Sequence, residues 1–258
     1  MAALEVHQFA CLSDNYGFLV HDPASGATAC IDTPDAAAVL AALAERGWRL
    51  TAIWNTHHHP DHAGGNLAVK AATHCEVVAP AAEAARIPGV DRTVVEGDEL
   101  RLGEHRFTVL ETPGHTAGHV VYVCECQRLA FVGDTLFALG CGRLFEGTAA
   151  QMWQSLGKLR GLPPETRLYC AHEYTEANAR YALSVDRHNP LLAARADVIA
   201  VTRARGLPTV PSRLAEELAT NPFLRADEPT LKAVLGMQDA EPEAVFARLR
   251  AGKDAFQA

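Results

Sequence analysis

Residues Thr56-His57-His58-His59-Pro60-Asp61-His62 bring imidazoles and a carboxylate into one short stretch behind an apolar run. Imidazole nitrogen and carboxylate oxygen are ligands that zinc, iron and manganese accept. His57 and His59 stand two apart and share a face of an extended chain, and His58 points away from them. Pro60 disfavours a helical conformation for His59, which leaves Asp61 and His62 free to turn toward a second position. The stretch therefore reads as two half-sites for adjacent cations. A histidine cluster on an exposed loop also binds metal adventitiously, so the reading needs partners elsewhere in the chain.

Three further segments end in ligand-type residues: Pro113-Gly114-His115, Gly133-Asp134-Thr135 and Ala171-His172-Glu173. Each follows an apolar run that reads as a buried strand, at 107–110, 129–132 and 167–170. Loops beyond strand ends are where layered α/β proteins build their sites.

The order His-x-His-x-Asp-His, then His115, Asp134 and His172, resembles the metallo-β-lactamase superfamily, and within it the glyoxalase II family of hydroxyacylglutathione hydrolases. The narrower resemblance is carried by Asp14-Asn15-Tyr16, by Pro113-Gly114-His115-Thr116-x-Gly118-His119, and by Gly140-Cys141-Gly142-Arg143 with Glu146-Gly147-Thr148. His172-Glu173-Tyr174-Thr175, Asn221-Pro222-Phe223-Leu224-Arg225 and Arg250-x-x-Lys253-Asp254 complete it.

The resemblance implies that His57, His59 and His115 bind one ion, that Asp61, His62 and His172 bind a second, and that Asp134 bridges them. Two divalent ions are expected, zinc first, with iron or manganese accepted by the same ligands. A hydroxide shared by the ions would then hydrolyse S-2-hydroxyacylglutathione thioesters, S-D-lactoylglutathione to D-lactate and glutathione, as the second step of methylglyoxal detoxification. His58 and His119 are read as supporting groups, because a metal-bound imidazole needs a partner on its other nitrogen. His7, His21, His74, His105 and His188 match no motif and are read as ordinary. The alternative on the same scaffold is a mononuclear-iron dioxygenase acting on glutathione persulfide.

A glutathione thioester carries more negative than positive charge, so its site should offer cations. The resemblance places Arg143, Phe145, Tyr174, Arg250 and Lys253 at the substrate. Arg250 and Lys253, three apart, fall on one side of a helical turn, the spacing also found on a solvated helix face. Arg143 and Phe145 stand where the family commonly has lysine and tyrosine. The guanidinium keeps the charge in a planar fork, and the phenyl ring loses a hydroxyl.

Nine apolar runs between Leu4 and Cys170 read as strands. Helical patterns fall at 35–46, 66–72 and 149–160, the last with Met152, Leu156 and Leu159 at helical spacing. After Tyr174 strand-like runs disappear, and proline-separated helices are expected from Glu176, Leu191, Arg213, Pro229 and Glu243. Periodicity supports a layered α/β protein. The resemblance makes it α/β with an αββα metallo-β-lactamase-like sandwich, residues 1–173, and a helical glutathione-binding C-terminal domain, residues 174–258.

The chain's 258 residues suffice for a substantial core, and its formal charge of −8 argues against a nucleic-acid partner. Seven cysteines, odd in number and without a Cys-x-x-Cys pair, read as reduced thiols of a cytoplasmic protein. No apolar run approaches membrane-spanning length, and no signal peptide is legible. A soluble monomer is expected.

Overall fold

The computed structural model describes residues 2–256, which fall into two compact units: residues up to 111 with 117–133, and residues 112–116 with those from 134 onward. The first unit holds strands β1 (Glu5–Cys11), β2 (Asn15–Asp22) and β3 (Ala27–Ile31), helix α1 (Ala36–Arg46), strand β4 (Ala52–Trp54), and helices α2 (Pro60–Ala63) and α3 (Asn66–Thr73). Strands β5 (Glu76–Pro80), β6 (Arg92–Val94), β7 (Glu99–Leu102), β8 (His105–Glu111), β9 (Val120–Cys124) and β10 (Leu129–Gly133) follow.

One sheet of this unit runs β1-β2-β3-β4-β5-β6, antiparallel through β3 and parallel from there. The other runs β10-β9-β8-β7, with antiparallel neighbours. Strand periodicity sends alternate side chains to opposite faces. Leu19, Cys30, Ile53 and Val77 meet Val39 and Leu43 of α1 and Val69 of α3. Residues of opposite parity face the second sheet: Trp54 packs on Phe107 and Tyr122, and Phe18 on Phe131, with ring centroids 5.0–5.8 Å apart. The unit is thus layered helix, sheet, sheet. Central strands covered on both faces are buried almost continuously, as β2 shows. Helix α1 is bounded by Asp35, whose carboxylate accepts from the backbone N–H groups of Ala37 and Ala38, and by left-handed Gly47.

The second unit contains strands β11 (Leu136–Phe137) and β12 (Gly140–Cys141), helix α4 (Ala149–Arg160), strand β13 (Arg167–Cys170), and helices α5 (Thr175–Val185) and α6 (Pro190–Ala204). Strand β14 (Ser212–Arg213) and helices α7 (Leu214–Thr220), α8 (Pro229–Leu235) and α9 (Pro242–Ala255) complete it. Met152, Leu156 and Leu159 are buried on α4, and Trp153, Phe223, Phe246 and Tyr181 form a chain of ring contacts linking α4, α5 and α9.

The expected disappearance of strands after Tyr174 needs correction, because β14 pairs antiparallel with β13. Two residues between Pro211 and a helix are too short to carry an alternating pattern, as are β11 and β12. No helix among the described residues is long and apolar enough to cross a membrane.

Candidate metal centre

The loop after β4 is shaped by its proline. His59 takes an extended conformation (φ −58°, ψ 146°), Pro60 opens α2, and Asp61 and His62 fall on that helix. His57 Nε2 and His59 Nδ1 lie 3.0 Å apart, and His62 Nε2 lies 3.8 Å from Asp61 Oδ2. The first unit therefore carries two close pairs of ligand-type side chains.

The outer nitrogens of these imidazoles are held from behind. Thr56 Oγ1 lies 3.0 Å from His57 Nδ1, and Asp32 Oδ2 lies 2.8 Å from His62 Nδ1. The Asp32 carboxylate also accepts from the Thr56 N–H and hydroxyl, both at 2.7 Å. Such partners fix the tautomer and orientation of a metal-binding histidine. Asn15 Nδ2 donates to the Asp61 carboxylate at 3.2 Å and to its carbonyl at 3.3 Å. His58 turns to Glu83, whose Oε2 accepts from its N–H at 2.7 Å and lies 2.8 Å from its Nδ1; Glu83 Oε1 accepts from Gly118 N at 2.9 Å. Buried His119 stacks on His57 at 4.8 Å. A Cβ at Gly133, where φ is +47°, would come within 2.6 Å of His119 Nε2 and 2.8 Å of Thr56 Oγ1, so that strand end admits only glycine.

In the second unit Asp134 presents one oxygen to each of two histidines, Oδ2 at 3.3 Å from His115 Nε2 and Oδ1 at 3.5 Å from His172 Nε2. His115 is oriented by its Nδ1, 2.9 Å from the Arg143 carbonyl. A Cβ on Gly142 would meet the Asp134 carbonyl at 2.0 Å, so the loop lies against Asp134.

The two Asp134 separations fit a cation. Charge-assisted N–H···O bonds run ~2.7–2.9 Å, whereas two ligands each ~2.1 Å from a tetrahedral ion stand about 3.4 Å apart. The Asp134 contacts match the latter, and imidazole with carboxylate is a donor set for zinc, iron or manganese.

The residues expected at the substrate gather in the second unit. Tyr174, 38% exposed, stacks flat on His172 at 4.7 Å, and Phe145, 60% exposed, meets the His115 ring edge-on at 5.2 Å. Arg143 is exposed, 3.9 Å from Asp254. Arg250 is buried: it donates to the Cys141 carbonyl at 2.6 Å and to Asp254 at 2.9 Å, and lies over the Phe223 ring. Lys253 Nζ donates to the Ala177 carbonyl at 3.0 Å. Burial, reinforced by Arg250, Arg180 and Arg143, brings the Lys253 ammonium down to about 8. Burial is the larger cause, and the three guanidinium groups that add to it place Lys253 within a cluster of positive charge.

Residues 22–172 match the family model described as the metallo-beta-lactamase superfamily, and residues 173–256 match that of the hydroxyacylglutathione hydrolase C-terminus. The chain is 58% identical over 256 residues to the hydroxyacylglutathione hydrolase of Maricaulis maris, covering 99% of this chain and 100% of that one. It belongs to the hydroxyacylglutathione hydrolase family. The namesake of Erythrobacter litoralis is 55% identical, over 98% of this chain and 100% of its own. Among solved structures, ETHE1 from Myxococcus xanthus superposes with a TM-score of 0.67 at 27% identity, covering 96% of this chain and 98% of that one. Membership gives the chain the αββα fold with the family's helical C-terminal segment.

Sequence reasoning assigned no role to Asp32, Thr56, Asn15 or Glu83. Asp32 directly follows a buried strand, the signal that drew attention to Asp134. Asn15 belongs to the Asp14-Asn15-Tyr16 motif, and its contact to Asp61 arises only in three dimensions.

Proposed function

We propose that this chain hydrolyses S-2-hydroxyacylglutathione thioesters, S-D-lactoylglutathione foremost, to the hydroxy acid and glutathione, the second step of methylglyoxal detoxification. The carrying observation is the pairing, within one unit, of the Asp134 carboxylate shared by two histidines with the cation cluster around Lys253. Full-length identity above half to proteins named for this reaction supports it. In this reading residues 1–173 are the catalytic domain and 174–258 the glutathione-binding domain, a division supported by the abutting family matches.

His57, His59 and His115 would hold one divalent ion and Asp61, His62 and His172 a second, with Asp134 contributing to both and zinc as the leading choice. When bound, the ions supply Lewis acidity, lowering the pKa of water from ~15.7 to about 7 and stabilising negative charge on a carbonyl oxygen. Asp32 and Thr56 keep His62 and His57 in the ligating tautomer. Lys253 and Arg143 meet the glutathione carboxylates, Arg250 adds charge from within the fold, and the Tyr174 hydroxyl hydrogen-bonds the peptide portion. Phe145 covers His115 and offers no donor. Neither Cys141 nor Cys170 competes as nucleophile: burial pushes the first up to about 11 and the second up to about 12, so both stay protonated at neutral pH. The departing thiolate is stable enough to leave without a strong protein acid. Seven free thiols suit the reducing cytoplasm, where the chain acts as a monomer.

The test is cleavage of lactoylglutathione by protein of known metal content. Activity disappears with chelator and returns with zinc in proportion to metal bound, up to two ions per chain. Hydrolysis indifferent to chelation, or oxygen uptake with glutathione persulfide at one iron per chain, would overturn the reading.

A further inference from the structure

At the end of β9 remote from the His57 loop, three metal-binding side chains of the first unit converge. One ligand atom from each of His105, Cys124 and Cys126 lies within 4.8 Å of the others, and the two sulfurs are 3.5 Å apart. Two thiolates bound ~2.3 Å from one tetrahedral zinc would stand about 3.8 Å apart, whereas a disulfide needs ~2.05 Å. The imidazole supplies an independent observation: His105 is 2% exposed, and its Nδ1 is buried with no hydrogen-bond partner. Its Nε2 faces the Asp22 carboxylate at 3.9 Å. A carboxylate facing one ring nitrogen favours the proton there, leaving a lone pair on the other, the arrangement that prepares histidines for metals.

We propose that His105 Nδ1, Cys124 Sγ and Cys126 Sγ form a second metal site, taking one thiophilic divalent ion such as zinc or cadmium, with solvent as fourth ligand on the exposed Cys126 side. Binding breaks two S–H bonds and forms two metal–sulfur bonds, releasing two protons, so the ion and two thiolates together are neutral. Burial pushes the Cys124 thiol up to about 12, which keeps it protonated until a metal displaces the proton. The site shares no ligand with the hydrolytic centre. Val120 begins β9 by donating to the Thr56 carbonyl at 2.9 Å, and Cys124 lies four residue steps further along, about 14 Å at ~3.4 Å per residue. In the sequence, Cys-x-Cys with a distant histidine matches no common zinc spacing.

The seven residues assigned to the hydrolytic centre include no sulfur, so thiolate-to-metal charge-transfer absorption reports only on cysteine sites. The zinc-loaded protein, kept reduced with a phosphine, is titrated with cadmium. One equivalent should bind with ultraviolet thiolate–cadmium absorption, and Cys126→Ser, at an exposed position, should abolish that absorption. Asp22→Asn should weaken binding about 10-fold or more while the absorption at saturation persists. Absorption absent at excess cadmium, or undiminished in Cys126→Ser, overturns the proposal. So does His105→Gln with unchanged cadmium affinity, which would reduce the feature to a surface dithiol.

Discussion

Asp32 binds nothing that reacts, yet three hydrogen bonds converge on its carboxylate, from the Thr56 N–H, the Thr56 hydroxyl and His62 Nδ1. Its backbone is left-handed at φ +59°, a conformation that asparagine adopts at least as readily as aspartate. Asp32→Asn is therefore a clean probe. The backbone is kept, but one acceptor oxygen becomes an NH2 group, so the Thr56 N–H, which uses Oδ1, and His62 Nδ1, which uses Oδ2, cannot both be served. Metal affinity should fall 10–100-fold, as expected for a partner of a ligating histidine, in a chelator-competition titration; unchanged affinity would remove Asp32 from the centre. Lys253 belongs to the same scale. Its ammonium, brought down to about 8, is charged below that pH and neutral above it. If it holds a substrate carboxylate, KM rises as pH passes upward through about 8 while kcat follows its own profile. Lys253→Arg should flatten the KM profile over that window, because a guanidinium stays charged; an unaltered profile would assign the titration elsewhere.

Helix α9 carries Arg250 and Lys253 but is fixed by other residues. Val245, Phe246 and Leu249 are buried along it, Phe246 packs on Phe223 and Trp153, and the Tyr181 hydroxyl donates to the Leu249 carbonyl at 2.5 Å. The loop around β11 and β12 is tied to the same helical region. Asn221 Nδ2 donates to the Phe137 and Gly140 carbonyls, Asn178 Nδ2 to the Ala138 carbonyl, and Glu217 accepts from the Leu139 N–H. Phe246→Ala should lower stability by about 3–5 kcal/mol and raise KM while metal content per folded chain stays at the wild-type value. Metal loss at full folding would show that α9 supports the centre directly. Most of these elements were legible in the sequence: Met152, Leu156 and Leu159 recur at helical spacing and are the buried stripe of α4, and Val120 to Cys124 is a strand as its apolar run implies. What escaped were elements of two to four residues, such as β6, β12 and α2, whose shape is imposed by neighbours. Asp32 and the His105 group escaped for a related reason. Their roles arise from contacts between residues far apart in the chain, and no local pattern encodes them.

Over the whole chain the charge is −8, which repels an anionic thioester, so the cations near Lys253 must act against the molecule's own field. Arg143 is mostly exposed, whereas Arg250 is almost fully withdrawn from solvent. Exposed charges are screened within a Debye length of ~8 Å at 0.15 M salt, and buried ones are screened much less. Two opposing long-range terms therefore fade as salt rises, general repulsion and local attraction, and the local term is the stronger at the short distance where the thioester docks. Added salt should raise KM for lactoylglutathione over ~0.05–0.5 M while leaving kcat nearly unchanged. The same series on Arg143→Ala should start from a higher KM and rise less steeply, because the exposed member of the cluster is gone. A KM that falls with salt in the wild-type protein would mean that the acidic surface, and not the cation cluster, governs how the substrate is received.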